Sequence, residues 1–381
     1  MVYVPSLTSA FALLTVLATS AQAATCTVSN KGNVANNIVS AFNNCKNGGT
    51  VVFTKGVTYN LNDLVQVQGL KNVNVHFYGT LNLPDYNTKY NGKSAYFIIK
   101  GDKINFDGGN TGVFNGNGQK WWDAKNRKAP TVLRITATGG SNFANFKIVQ
   151  APRAHIGITS SDGVTLNKIT INTVSKSSND AHNTDAVDIS NSKNVNWFNS
   201  VVRNGDDCMA INGNTSNVNV DNVQCTGSHG FSVGSLGKGG ETAVVSNIKV
   251  ANSKCTNCQN GLRIKTWPGG KGSVSNVQFS NVQLNNSDNP ILITTHYCDN
   301  NQQSFCKGND NASLSIKNVQ IKNISGSVSS KGRPAISINC SKNTPCSNFS
   351  LSNINISKSS KTKKNECINL SGSNSIAYCK Q

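Results

Sequence analysis

Acidic side chains are scarce in this chain: 17 Asp and Glu stand against 36 Lys and Arg in 381 residues, a formal net charge of +19. Such a surface attracts polyanions; the bland alternative is a merely soluble surface adapted to its medium. No compact basic run with interleaved aromatics is present, so nucleic acid is not the expected partner and an acidic polysaccharide is. Apolar residues are sparse too, at 37%, whereas Gly, Asn and Ser abound. That composition suits short strands joined by polar turns and does not suit long helices. Long hydrophobic runs are missing beyond the N-terminus. The apolar run at residues 11–17 is followed by Ala21-Gln22-Ala23, a small-x-small pattern. It is too short to cross about 30 Å of hydrocarbon and reads as a secretory signal cut after Ala23, although no Lys or Arg precedes it. The expected division is therefore a signal peptide over 1–23 and one domain over 24–381, secreted, with no membrane partner and no linker.

Cysteine is not scarce. All 12 lie beyond the signal, as an oxidising compartment allows. Local spacing suggests Cys26 with Cys45, Cys208 with Cys225, Cys298 with Cys306, Cys340 with Cys346, and Cys367 with Cys379. Cys255-Thr256-Asn257-Cys258 has the spacing of a redox or zinc half-site. Without a second pair, a structural disulfide is the better reading. Sequons at Asn214, Asn311, Asn323 and Asn348 suit a secreted glycoprotein.

The fold is read from repeats. Residues 34–44 have helical apolar spacing (Ile38, Ala41, Phe42) and predict a short N-terminal capping helix, with a strand over 50–53. Beyond it only strands and turns are expected. One phrase recurs as Lys193-Asn194-Val195, Ser216-Asn217-Val218, Ser246-Asn247-Ile248 and Ser275-Asn276-Val277, starting 23, 30 and 29 residues apart, with further copies at 71, 317 and 347. Between these run alternating apolar pairs: Ile156/Ile158, Val187/Ile189, Met209/Ile211, Phe231/Val233, Leu262/Ile264, Ile291/Ile293, Ile336/Ile338 and Ile368/Leu370. Strand phrases at such a period, with Asn-rich corners, describe an all-β solenoid, a right-handed parallel β-helix. A β-sandwich is the runner-up, but its strands would not repeat phrases at this spacing. The long interval between Ile293 and Ile336, with Cys298 and Cys306, predicts a disulfide-pinned excursion.

Aligning the apolar pairs brings the polar motifs into a column. Asp185 precedes Val187 as Asp207 precedes Met209 and His229 precedes Phe231, at intervals of 22 residues. Stacked strands lie about 4.7–4.9 Å apart, so these three predict a short ladder. In Gly261-Leu262-Arg263-Ile264-Lys265 the apolar residues point inward, so Arg263 and Lys265 share the outer face with Asp188 and Ser232. Asp and Asn also serve as ordinary corner formers, which accounts for Asp162 and Asp221. That bland reading accounts poorly for Asp185, Asp206, Asp207, His229, Arg263 and Lys265 together. Carboxylates in mutual reach should raise at least one pKa, as glycoside hydrolysis requires.

Asn183-Thr184-Asp185, Gly205-Asp206-Asp207-Cys208, Ser228-His229-Gly230 and Asn260-Gly261-Leu262-Arg263-Ile264-Lys265, in that order, resemble the four motifs of the polygalacturonases, glycoside hydrolase family 28. The resemblance covers essentially the whole mature chain. It implies hydrolysis of α-1,4 links in polygalacturonate with inversion. It implies Asp206 as general acid, Asp185 and Asp207 as the pair activating water, and His229 as a support that keeps the acid protonated. Arg263 and Lys265 are implied to bind substrate carboxylates, and Tyr297 a sugar. The substrate is then pectin, no metal or organic cofactor is implied, and a monomer is expected. Gly205, Ser228 and the run from Gly116 to Trp122 resemble the chain-end-cutting members, so exo action is expected, with endo action as the alternative. A calcium-dependent pectate lyase holding the ion on Asp206 and Asp207, and a non-catalytic pectin-binding protein on the same scaffold, are the rivals from other classes.

Overall fold

The computed structural model describes residues 1–2, 23–306 and 312–380. Most of the expected signal peptide, with its apolar run, and the sequon at Asn311 lie outside them.

The short capping helix spans Val34–Asn44 (α1). Asn33 caps it by accepting a hydrogen bond from the Asn36 N–H, and Ile38 and Phe42 are buried against the first strands. Starting with Thr25–Thr27, which pairs with Thr50–Phe53, the described residues wind as a parallel β-helix of 25 paired strands. One sheet stacks Ile156–Thr159, Val187–Ser190, Met209–Asn212, Phe231–Leu236, Asn260–Thr266, Asn289–Thr294 and Ile336–Asn339. Its register runs Ile156, Val187, Met209, Phe231, Leu262, Ile291, Ile336, all buried, as the alternating pairs required. A second sheet stacks the recurring phrases, with Val195, Val218, Ile248, Val277, Val319 and Phe349 in one row.

The asparagine of that phrase has a physical reason. Asn194, Asn217, Asn247, Asn276, Asn318 and Asn348 all hold positive φ, a conformation Asn tolerates better than most residues. From Asn217 onward each donates its side-chain N–H to the amide oxygen of the one before, at 2.8–3.0 Å, and Asn194 donates to Asp162 Oδ1 at 2.7 Å. The ladder satisfies side-chain amides that would otherwise compete with the strands for backbone groups.

Two expectations need correction. A second helix exists, Gln119–Asp123 (α2), because Gly116 and Gly118 end the preceding strand and the adjacent Trp121 and Trp122 both find burial there. In the last coil, Cys367 and not Ile368 pairs with inward-facing Ile338, leaving Ile368 46% exposed. The shift brings Cys367 to Cys379, with which it is bonded. All six disulfides join the cysteines that spacing suggested, Cys255 with Cys258 among them, and Cys298–Cys306 pins the excursion after Asn289–Thr294.

Candidate active site

The corner before the first sheet carries the candidate carboxylates. Ala186 N–H donates to the Asp207 carbonyl, His229 N–H to the Asp206 carbonyl, and His155 N–H to the Asp185 carbonyl, each at 2.8–2.9 Å. Asp185, Asp207 and His229 thus stack on successive coils, and the sheet register places Asp188, Ala210, Ser232 and Arg263 in one outward row.

Local chemistry fixes the turn that carries Asp206 and Asp207. Asn204, buried, donates its amide to the carbonyls of Thr184, Asp206 and Asp207, tying the two acidic loops together. Gly205 must be glycine: a Cβ there would stand 2.5 Å from the Ala181 carbonyl oxygen. Gly230 holds φ 93, and a Cβ would fall 2.2 Å from the Asn260 carbonyl oxygen.

The side chains divide into three groups. Asp206 Oδ1 faces His229 Nδ1 at 3.1 Å and accepts from Asp207 N–H at 2.8 Å, while Oδ2 accepts from Asn183 N–H at 3.2 Å. Buried Asp207 is clamped: Arg263 pairs with its Oδ1, Lys265 Nζ with Oδ2 at 2.9 Å, and Ser232 Oγ donates to Oδ1 at 2.9 Å. Ser232 in turn accepts from Arg263 Nε at 2.9 Å. Asp185 and Asp188, the third group, lie close enough to influence each other's protonation.

These surroundings push protonation apart. Burial, then repulsion from Asp188, Asp206 and Asp207, raises Asp185 well above the usual carboxylate range. Burial likewise raises Asp188, to about 6. Burial would raise Asp206 as well, but His229, Lys265 and the Asp207 N–H outweigh it and hold that carboxyl at about 2. The carboxylate ladder therefore does raise a pKa, but on Asp185. His229 Nδ1, 3.1 Å from Asp206 Oδ1, contributes to lowering that carboxyl's pKa, whereas the resemblance implies that it helps keep the acid protonated. Arg263 and Lys265 differ from expectation as well. Each is 7% exposed and engaged with Asp207 instead of standing free on the outer face.

Tyr297 lies in the same place. Its ring sits 5.0 Å from Lys265 Nζ and packs edge-on against Trp267 at 4.9 Å. Three functional neighbours carried no sequence signal of their own. The strand register marks Asp188 and Ser232 only as outward-facing positions. His155 is fully buried, held neutral by that burial with its pKa lowered to about 4. Its Nδ1 lies 2.8 Å from the Asp185 carbonyl oxygen and its Nε2 2.7 Å from Thr173 Oγ1. Thr173 follows the strand Thr170–Asn172 and Asp185 leads into Val187–Ser190, so one ring ties both ends of the intervening loop. Only the register and the loop together reveal that role.

That loop forms a wall. Gln119 of α2 accepts from Lys176 N–H at 2.8 Å and donates to Ser175 and Ser177, and Ser177 Oγ donates to Asp123 at 2.6 Å. On its near side lies a cavity of about 550 Å³ reaching Gly205 and His229; on its far side another of about 590 Å³ is lined by Gln119, Lys120 and Lys176.

Asp206, Asp207 and His229 bring ligand atoms within 4.8 Å of one another, near enough for a cation. The fit is poor. Both Asp207 oxygens are committed to Arg263 and Lys265, and an imidazole nitrogen is not the oxygen donor that calcium prefers.

Comparison with known proteins agrees with this geometry. The chain is 50% identical over 342 residues to an exopolygalacturonase of Rhizopus delemar, covering 90% of this chain and 88% of that one. To a second exopolygalacturonase of Rhizopus delemar it is 47% identical over 380 residues, covering 98% of both. Among solved structures, an endo-xylogalacturonan hydrolase from Aspergillus tubingensis superposes with a TM-score of 0.81 at 27% identity, over 92% of this chain and 97% of that one. The profile of "Glycosyl hydrolases family 28" matches residues 45–378, and the chain belongs to that family.

Proposed function

We propose that this protein is a secreted, exo-acting polygalacturonase, with residues 24–381 as its catalytic domain, that hydrolyses α-1,4-galacturonosyl links with inversion. The observation that carries the reading is the constellation itself: Asp185, Asp206 and Asp207 meet at one corner on neighbouring coils, with His229 Nδ1 3.1 Å from Asp206, in a chain of family 28.

The cluster behaves as one titrating unit. In the free site its proton rests on Asp185. A bound galacturonate brings its own carboxylate to His229, Arg263 and Lys265 and excludes water. The cationic support that holds Asp206 ionised is then shared, and burial, the largest influence on Asp206, prevails. The proton moves to Asp206, which donates it to the leaving glycosidic oxygen. Asp185, relieved of repulsion from an ionised Asp206, becomes the carboxylate that accepts a proton from the attacking water, with Asp207 beside it. Water attacks the anomeric carbon as the glycosidic bond breaks on the opposite face, which inverts the configuration. Tyr297 and Lys265 border the sugar.

Exo action is supported by the two Rhizopus relatives and by the wall over residues 173–182, which α2 braces on one side of the cavity that reaches Gly205 and His229. The test is Asp206→Asn assayed on polygalacturonate. We expect retained fold and substrate binding with turnover reduced by at least about a thousandfold, the scale on which essential acid groups act. Activity within tenfold of the parent removes Asp206 from the acid role.

A further inference from the structure

Beyond the catalytic coils, the same corner of the β-helix turns strongly basic. Residues 329–335 carry Lys331 and Arg333, and residues 358–365 carry Lys358, Lys361, Lys363 and Lys364; all six are exposed. The two loops stack. Ser359 Oγ donates to the Ser329 carbonyl at 3.1 Å, Ile336 N–H donates to Asn365 Oδ1 at 3.1 Å, and a Cβ on Gly332 would sit 3.2 Å from the Lys361 carbonyl oxygen. Among the described residues Lys193, Arg263 and Lys265 are paired with a carboxylate, and none of these six cations is. Like charges crowded onto adjacent coils repel, so the arrangement costs stability unless a polyanion relieves it.

Its position aligns it with the catalytic site. Backbone bonds follow the corner coil by coil: His229 N–H to Asp206, Gln259 N–H to Ser228, Asn289 N–H to Gln259, and Ile291 N–H to Ala335. The basic loops are therefore the third and fourth coils beyond His229, at roughly 14 and 19 Å along the axis for a strand spacing near 4.8 Å. On the opposite side, toward the N-terminal coils, the braced loop over residues 173–182 borders the cavity that reaches Gly205 and His229. A polymer whose end abuts that wall has its remaining length running toward the basic loops, past Arg263 and Lys265.

We infer that the loops at 329–335 and 358–365 form a remote anion-binding surface for the trailing part of a polygalacturonate chain, out of reach of a short oligomer. The inference rests on the proposed function. The surface adds affinity for long chains and no chemistry. Exposed charges are screened within about 8 Å at physiological salt, so its effect belongs to low ionic strength.

The experiment replaces Lys361→Gln, Lys363→Gln and Lys364→Gln together, all exposed and remote from the carboxylates. Steady-state kinetics are compared on polygalacturonate and on digalacturonate, at low salt and at about 0.5 M salt, where screening shortens to a few ångströms. The expected result is a KM for polygalacturonate raised roughly three- to thirtyfold at low salt, the sum of three modest surface contributions. That gap should close at high salt, with digalacturonate kinetics unchanged throughout. An unchanged polymer KM, or an equal rise on digalacturonate, overturns the inference. Should the parent protein not cleave polygalacturonate, the functional reading falls separately. Equilibrium binding of the polymer to parent and variant then still decides whether the surface exists, and equal affinities overturn it.

Discussion

Asp188 shows what the site costs the fold. Its carboxyl is raised to about 6, chiefly by burial. A group whose folded pKa lies above its unfolded value favours the folded state below the unfolded pKa and loses that favour as pH rises through the folded one. Asp188 therefore destabilises the protein at neutral pH relative to pH 4. Asp188→Asn should raise stability at pH 7 by on the order of 1 kcal/mol and give no gain at pH 4. Thermal unfolding at the two pH values checks this, and an equal effect at both contradicts it. Asp206 has the opposite sign: its stabilising contribution is full above its unfolded pKa of about 4 and is lost as pH falls from there through about 2. The site residues themselves were legible because their spacing repeats with the coil, so one alignment of apolar pairs placed Asp185, Asp207 and His229. Their partners were not. Register fixes which rows face outward, but whether Lys265 reaches Asp207 or solvent depends on side-chain length and burial across two coils. For the same reason His155, in the row before Asp185, gave no sign of its bond to that carbonyl.

At the scale of elements, the asparagine phrase marked the second sheet correctly, and its cause is the ladder of amides from Asn194 to Asn348. The helix α2 was missed because five residues are too few for a periodic pattern; the adjacent Trp121 and Trp122 were its signal. Its function here is to brace the loop over residues 173–182 through Gln119. Gln119→Ala removes four hydrogen bonds, three to that loop and one to Asp123 within α2, and leaves the carboxylates untouched. The expected outcome is a looser wall: longer products appear beside monomer in early digests of polygalacturonate, at a kcat reduced by less than about tenfold. A product pattern unchanged from the parent contradicts the wall's part in chain-end cutting.

At the scale of the molecule, one hydrophobic core runs from Val28 to Ile376, its N-terminal coils filled by Phe53, Phe77, Phe106 and Phe143 packed ring against ring and the later ones mainly by aliphatic side chains. The six disulfides close short loops, separated by 3 to 19 residues. Short spans made their pairing readable from the sequence and mean that they pin corners and caps more than they shorten the unfolded chain. The net charge of +19 draws an anionic polymer toward a groove whose own carboxylates are shielded by Arg263, Lys265 and His229. The most direct measurement of the whole account is proton NMR of the first products released from polygalacturonate. The account predicts monomeric galacturonate appearing first as the β-anomer, with no unsaturated sugar and no dependence on added calcium. Product first seen as the α-anomer, as a 4,5-unsaturated uronide, or as a ladder of oligomers would contradict it.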